Sequence, residues 1–246
     1  MNISEKFHRY VDENGLYSKR GYSSLNHRCR QIFDHVCGLE GKTMLEIGAG
    51  EGLFSLWAVA NGVEKVILLE PEADGATKGV AGKFLKHQKA LSIPDERLRL
   101  YTQTFQEYDG ERESFDLILS YASINHIDEP ACVNLHKSEI AYSTYKKYFE
   151  KIYDLMHPGG HFILSDAGCI NLWNQIGMNS PFSPTIEWNK HQEPALWMQL
   201  LNEAGFSLVS LDWLRFYPLR KLGFIGCNRL IAWATISQFI ITMVKD

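Results

Sequence analysis

Cysteine is scarce in this chain. Five occur among 246 residues, Cys29, Cys37, Cys132, Cys169 and Cys227, irregularly spaced and with no C-x-x-C pair. That spacing supports neither a disulfide framework nor a zinc site, and reduced thiols suit a cytoplasmic protein. A basic excess is also missing, since 25 lysines and arginines face 29 aspartates and glutamates, a net charge of −4. A sequence-independent nucleic-acid binder needs the opposite balance, so no nucleic-acid partner is expected. The opening MNISEKFHRYVDENG is too polar for a secretory leader. The most apolar late stretch, 230–244, is broken by Thr235, Ser237, Gln238 and Thr242 and is too short for a transmembrane segment. Repeats and low-complexity tracts are absent. Hydrophobic residues make up 45% of the chain and charged residues 22%, which excludes a wholly disordered polymer.

What is present is an alternation. Residues 1–23 are polar and aromatic and read as an N-terminal arm, and 24–37 predicts a helix ending near Gly38. Short apolar runs then alternate with helical stretches. TMLEI (43–47), KVILLE (65–70), LRLYT (98–102), FDLILS (115–120) and GHFILSD (160–166) read as strands, with helices after the first glycine turn, around 80–91 and over about 137–156. This pattern predicts an α/β chain with a mostly parallel sheet and helices on both faces. A long irregular segment, 167–193, precedes a helix opened by Pro194 and stopped by Gly205. Two further strands, 206–213 and 238–245, flank a basic-aromatic insertion at 214–236 with a short helix, NRLIAWAT, and suggest an antiparallel closure. The whole, 1–246, reads as a single domain with insertions.

The densest chemical signal is Glu46-Ile47-Gly48-Ala49-Gly50-Glu51-Gly52, where a strand runs straight into three glycines spaced by two. Glycine there allows a sharp turn and lets a ligand lie against bare backbone, and the next helix aims its positive end at that ligand. The dinucleotide fingerprint G-x-G-x-x-G would need glycine at Leu53, so the pattern is G-x-G-x-G.

The segment LEIGAGEG resembles the nucleotide loop of the class I S-adenosylmethionine-dependent methyltransferases, and the resemblance continues in order through KVILLEPE, RLRLYTQTFQEY, FDLILS and LMHPGGHFILSDAG, covering about 40–166 closely. It implies a Rossmann-like, seven-stranded, mostly parallel sheet with an antiparallel last strand, and S-adenosylmethionine as cofactor. The residues it places at the cofactor are Glu46, Gly48, Ala49, Gly50, Gly52, Glu70, Pro71, Thr104, Phe105, Ser120 and Tyr121. Glu70 is expected to accept from both ribose hydroxyls and, as a strand-end acid, to have an exposed tip. Thr104 departs from the aspartate common in the family, and Phe105 is expected to pack on adenine or offer its backbone N–H. The HPGG segment reads as a turn. Tyr17, Tyr22 and His27 of the arm are positions that could cover the cofactor.

Methyl transfer from a sulfonium needs alignment, and a base only if the acceptor must lose a proton. His126, six residues past the fourth strand, is the leading base candidate, with Asn125 and Asp128 placed to orient its ring; His191 is the second. Ser120 stands where metal-dependent relatives carry their first acid, so although Asp166 is suitably placed, no metal is expected. No proline follows Ser120 and no Pro-Cys pair is present, which argues against nucleobase and protein-amide acceptors. The expected reaction is methylation of a small-molecule acceptor, a hydroxyl of a sugar or natural product. The late sequence resembles methyltransferases of surface-polysaccharide and secondary-metabolite pathways. Arg215, Arg220, Lys221 and Arg229 suggest an anionic or lipid-linked acceptor. N- or C-methylation, or a non-catalytic cofactor-binding partner protein, are the alternatives.

Overall fold

A computed structural model describes residues 2–72, 78–214 and 228–246. Seven strands form one sheet in the order β3-β2-β1-β4-β5-β7-β6. They are β1 Thr43–Ile47, β2 Lys65–Leu69, β3 Leu98–Tyr101, β4 Phe115–Tyr121, β5 Met156–Ala167, β6 Phe206–Trp213 and β7 Gln238–Lys245. The pairs β1–β2, β1–β4, β2–β3 and β4–β5 are parallel, whereas β7 runs antiparallel to both β5 and β6. The closing strand is therefore antiparallel, as the sequence implied.

Helices cover both faces, which is why the central strands turn apolar residues to both sides instead of alternating apolar with polar. The helices are α1 Ile3–Glu13, α2 Gly21–Ile32, α3 Leu53–Ala60, α4 Val80–Leu91, α5 Glu129–Val133, α6 Glu139–Leu155, α7 Leu172–Gln175, α8 Pro194–Glu203 and α9 Arg229–Ala234. One core packs Phe7, Val11, Leu25, Leu56 and Phe84 of the first four helices against Met44, Val66, Leu68 and Leu117. The other packs Tyr145, Phe149, Ile152, Trp197 and Leu201 of α6 and α8 against Leu45, Ile47, Ile118 and Phe162. Successive side chains of β1 thus serve opposite cores, the period-two rule of a strand. None of the described helices is long and apolar enough to cross a membrane.

Four local expectations are revised. The arm contains a helix, α1, because Phe7 and Val11 lie four apart and bury one face. The next helix begins at Gly21 rather than 24 and stops at Ile32, since the Asp12 carboxylate accepts the Tyr22 N–H at 2.7 Å and satisfies its first turn. The HPGG segment is extended backbone at the start of β5, with a register shift against β4 and Gly159 at φ +77°. Two short helices not anticipated, α5 and α7, are capped by Asp128, which accepts from Ala131 N–H at 3.0 Å, and by Asn171, which accepts from Trp173 N–H at 3.0 Å. Arg215, Arg220 and Lys221 lie outside the described residues.

Trp197 anchors the second core, fully buried with its ring 5.3 Å from Tyr145 and 5.9 Å from Phe149. Trp197→Ala should cost about 3–5 kcal/mol of unfolding free energy, read from the urea midpoint at unchanged m-value.

Candidate functional site

The glycine turn is built by hydrogen bonds to the end of β2. The N–H groups of Gly48 and Ala49 both donate to the Leu69 carbonyl, at 2.8 and 3.1 Å, and the Gly50 N–H donates to Glu70 Oε2 at 2.7 Å. Gly48, Gly50 and Gly52 sit at φ +70°, +53° and +72°, the left-handed region where a side chain is strained. Space separates their roles. A Cβ at Gly48 would collide with the Ser123 side chain, and one at Gly52 would lie 2.6 Å from Phe84. One at Gly50 would meet no protein atom within 4 Å. Gly48 and Gly52 are thus required by packing, and Gly50 faces open space.

That space is a cavity of about 470 Å³ at the C-terminal edge of the sheet, lined by Gly48, Gly50, Glu70, Pro71, Thr104, Phe105, Ala122, Ser123, His126 and Glu129. Its volume falls within the range of small-ligand sites. Ligands of open α/β sheets bind at this edge. Glu70 is buried, at 4% exposure, and not exposed at its tip as expected, because the Gly50 amide draws its carboxylate inward. The Thr104 hydroxyl is engaged by Glu107 at 2.9 Å, and the Phe105 ring packs against Tyr148 with Lys151 above it.

Not every expected residue reaches this cavity. Glu46 points to the opposite core, where its carboxylate accepts from the Ser55 N–H at 3.1 Å and from the Ser55 hydroxyl. It holds the first turn of α3. Burial pushes its pKa up to about 8 against the opposing pull of the Ser55 hydrogen bonds. Ser120 is fully buried and bonds Ser123 Oγ at 2.9 Å, while Ser123 donates to the Ile47 carbonyl at 2.5 Å. Tyr121 packs on Phe54 at 4.6 Å, and Ala49 and Gly52 form the turn behind the wall.

A second cavity, of about 410 Å³, adjoins the first and shares Ala122 and His126 with it. Its wall adds Asn125, Asp166, Thr185, Glu187, Lys190, His191 and Gln238. Both histidine candidates therefore line this cavity, His126 from the segment after β4 and His191 from the segment after β5. His126 is half-exposed, and its Nδ1 bonds Glu129 Oε1 at 2.6 Å, so Glu129 and not Asn125 or Asp128 orients it. Asp128 is occupied in capping α5. The His126 and Lys190 hydrogen bonds hold the Glu129 carboxyl below the usual range.

His191 Nδ1 bonds Asp166 Oδ1 at 3.0 Å, with both side chains withdrawn from solvent. The Asp166 carboxylate can only accept, so Nδ1 carries the ring's proton and donates it in this hydrogen bond, which leaves Nε2 as the ring's acceptor. Asp166 Oδ2 and both polar atoms of the Asn125 amide are buried without a partner. Each such atom costs on the order of 1–3 kcal/mol unless a ligand or water completes it. The pairing of Asp166 with His191 has no sequence signature, because 25 residues separate them. Among the described residues no group of three His, Cys, Asp or Glu is placed to hold a metal ion.

A family model described as a methyltransferase domain matches residues 21–211, most of the chain. The chain belongs to the class I S-adenosylmethionine-dependent methyltransferases. Solved structures agree in fold. An S-adenosylmethionine-dependent methyltransferase from Mesorhizobium loti matches with a TM-score of 0.61 at 15% identity, over 89% of this chain and 99% of that one. One from Aquifex aeolicus matches at 0.59 and 11% identity, over 89% of each chain. Geranyl diphosphate C-methyltransferase from Streptomyces coelicolor matches at 0.61 and 12% identity, over 90% of this chain and 79% of that one. No curated protein shows a significant match.

The methyltransferase's cofactor is S-adenosylmethionine, and the first cavity fits it. Gly50 leaves room for a ligand against backbone, and Glu70 sets a carboxylate beside that room. Gly50→Val should fold but fill the space, so calorimetry should show S-adenosylhomocysteine affinity reduced by at least about tenfold. Glu46 supplies a stability test. Its folded pKa lies above its ordinary 4.5, so between that value and about 8 the folded state holds an extra proton. Stability then falls as pH rises through this window, and the permanently neutral Glu46→Gln should gain on the wild type between about pH 5 and pH 8 in urea unfolding.

Proposed function

We propose that this methyltransferase methylates a hydroxyl of a small-molecule acceptor held in the second cavity, with His191 as the base. The carrying observation is a hydrogen bond between the buried Asp166 and the largely shielded His191, on a cavity that opens beside the cofactor cavity. In this reading Glu70 accepts from the ribose, Gly50 lets the cofactor lie on bare backbone, and the segment at Thr104 and Phe105 flanks adenine. S-adenosylmethionine supplies an electrophilic methyl carbon on a sulfonium. The S–CH₃ bond breaks as the O–CH₃ bond forms, the acceptor proton passes to His191 Nε2, and S-adenosylhomocysteine remains. Asp166 steadies the imidazolium that results.

His191 is preferred to His126 for a physical reason. A buried carboxylate fixes its tautomer, whereas the partner of His126 is solvent-exposed and shared with Lys190. His126, on the border of both cavities, orients the acceptor. The wall also bears on acceptor charge. Lys190 is spent on Glu129 at 3.0 Å and Glu187 at 2.8 Å, and Arg229 lines a different cavity with Glu193. With Asp166 and Glu187 nearby, a neutral hydroxyl-bearing acceptor suits this wall better than an anion. An open second cavity supports an enzyme with room for its acceptor rather than a cofactor-binding partner protein with a filled one.

The test is to incubate the protein with trideuteromethyl S-adenosylmethionine and extracts of its source cell. Mass spectrometry should find one product class carrying one labelled methyl, on oxygen. Labelled nitrogen or carbon would move the reading to the N- or C-methyl alternative. With that product in hand, His191→Ala should lower turnover about 10²–10⁴-fold while S-adenosylhomocysteine affinity is unchanged. Near-wild-type turnover would remove His191 from the role.

A further inference from the structure

Two buried side chains on the wall of the second cavity keep polar atoms unpaired. Asn125 is 1% exposed, and neither its side-chain oxygen nor its side-chain nitrogen has a partner. Asp166 is as deeply buried; its Oδ1 holds His191, and its Oδ2 has no partner. Both residues line the cavity. Burial alone does not single them out, since Trp197 Nε1 and Thr242 Oγ1 are also buried without partners. Those two residues line neither this cavity nor the cofactor cavity. Nor does Asn125 orient His126, whose Nδ1 bonds Glu129.

Both side chains stand on fixed backbone. Asn125 lies in a single 3₁₀ turn, Ile124–His126, where the His126 N–H donates to the Ser123 carbonyl at 3.0 Å. The buried Tyr145 hydroxyl ties that turn down by donating to the Ile124 carbonyl at 3.0 Å. Asp166 is held in β5, paired with Phe239 of β7. Such rigidity is what a specificity contact requires. The hydrogen-bonding inventory then describes the ligand. Asp166 Oδ2 and the Asn125 oxygen accept, and the Asn125 nitrogen donates, whichever way the amide is turned. A hydroxyl both donates and accepts, so hydroxyls suit this set, whereas an ether or ketone would leave both protein acceptors unpaired. The hydroxyl that is methylated gives its one proton to His191 Nε2, so a further hydroxyl is needed here.

We propose that Asn125 and Asp166 Oδ2 bind a second hydroxyl of the acceptor, on the carbon next to the methylated oxygen, which makes the substrate class a polyol with neighbouring hydroxyls. One carboxylate then serves both groups, Oδ1 through the His191 base and Oδ2 directly. The proposal rests on the second cavity being the acceptor site with His191 as its base. Its first test needs no variant. The product labelled from trideuteromethyl S-adenosylmethionine in extracts of the source cell is isolated and its structure read by NMR. The labelled methoxyl should stand beside a carbon bearing a free hydroxyl. A labelled methoxyl without that neighbour would overturn this proposal and leave the O-methyl reading standing. Label on nitrogen or carbon, or no labelled product, would overturn that reading and this proposal with it. The second test compares the unmethylated acceptor with its deoxy analogue, which lacks only the neighbouring hydroxyl. Wild-type kcat/KM should be about 10²-fold or more lower for the analogue, because a site built to bind a hydroxyl rejects a substrate without it. Asn125→Leu keeps the side-chain volume and removes both polar atoms. It should lower kcat/KM about tenfold or more for the acceptor and not lower it for the analogue, with S-adenosylhomocysteine affinity unchanged. Equal losses on both substrates would make Asn125 a structural support and overturn the proposal, as would equal wild-type kcat/KM on the two.

Discussion

Three consecutive backbone amides, those of Gly48, Ala49 and Gly50, are held by two consecutive residues, Leu69 and Glu70. The rest of the site depends on this junction between β1 and β2. It spends the amides that a sharp turn would otherwise leave unpaired, and it requires left-handed backbone that glycine adopts without strain. It also makes Glu70 a double agent, since one oxygen pins the turn while the carboxylate forms part of the cavity wall. The backbone that a cofactor would lie on and the acid that would read its ribose therefore move together.

Along the sheet edge the chemistry is laid out in strand order. Thr104 and Phe105 follow β3, Glu70 follows β2, the glycine turn follows β1, and Ala122 to His126 follow β4. Asp166 closes β5, and Gln238 opens the antiparallel β7 beside it. Parallel strands all deliver their C-terminal ends to one edge, so residues scattered over more than a hundred positions become neighbours. The cofactor-side cavity occupies the β3-to-β4 half of that edge, and the second cavity the β4-to-β7 half. Ala122 and His126 stand where the two meet.

The polar interior differs between the halves. Beneath the glycine turn, Glu46 is paired with Ser55 and pushed toward neutrality by burial. Its Oε2 accepts both bonds from the first turn of α3, so its place in the motif is structural. In the second half, Asn125 and Asp166 keep buried polar atoms without protein partners. Native interiors satisfy nearly all such atoms, and the exceptions concentrate where something else is to bind.

Much of the fold was legible from local pattern. Short apolar runs, each bounded by a turn, had only a parallel sheet covered on both faces as a consistent solution, and the order of the motif segments named its family. Glycines at 48, 50 and 52 marked the turn because a left-handed backbone leaves a residue-type signature. What each glycine is for was not legible, since Gly48 is required by Ser123, Gly52 by Phe84 and Leu68, and Gly50 by empty space. The burial of Glu70, the inward turn of Glu46 and the pairing of Asp166 with His191 were likewise decided only by tertiary structure. The physical reason is range. Backbone preference and hydrophobic periodicity act between residues a few positions apart, whereas a carboxylate's partner is chosen by whichever donor the packed sheet edge brings within about 3 Å.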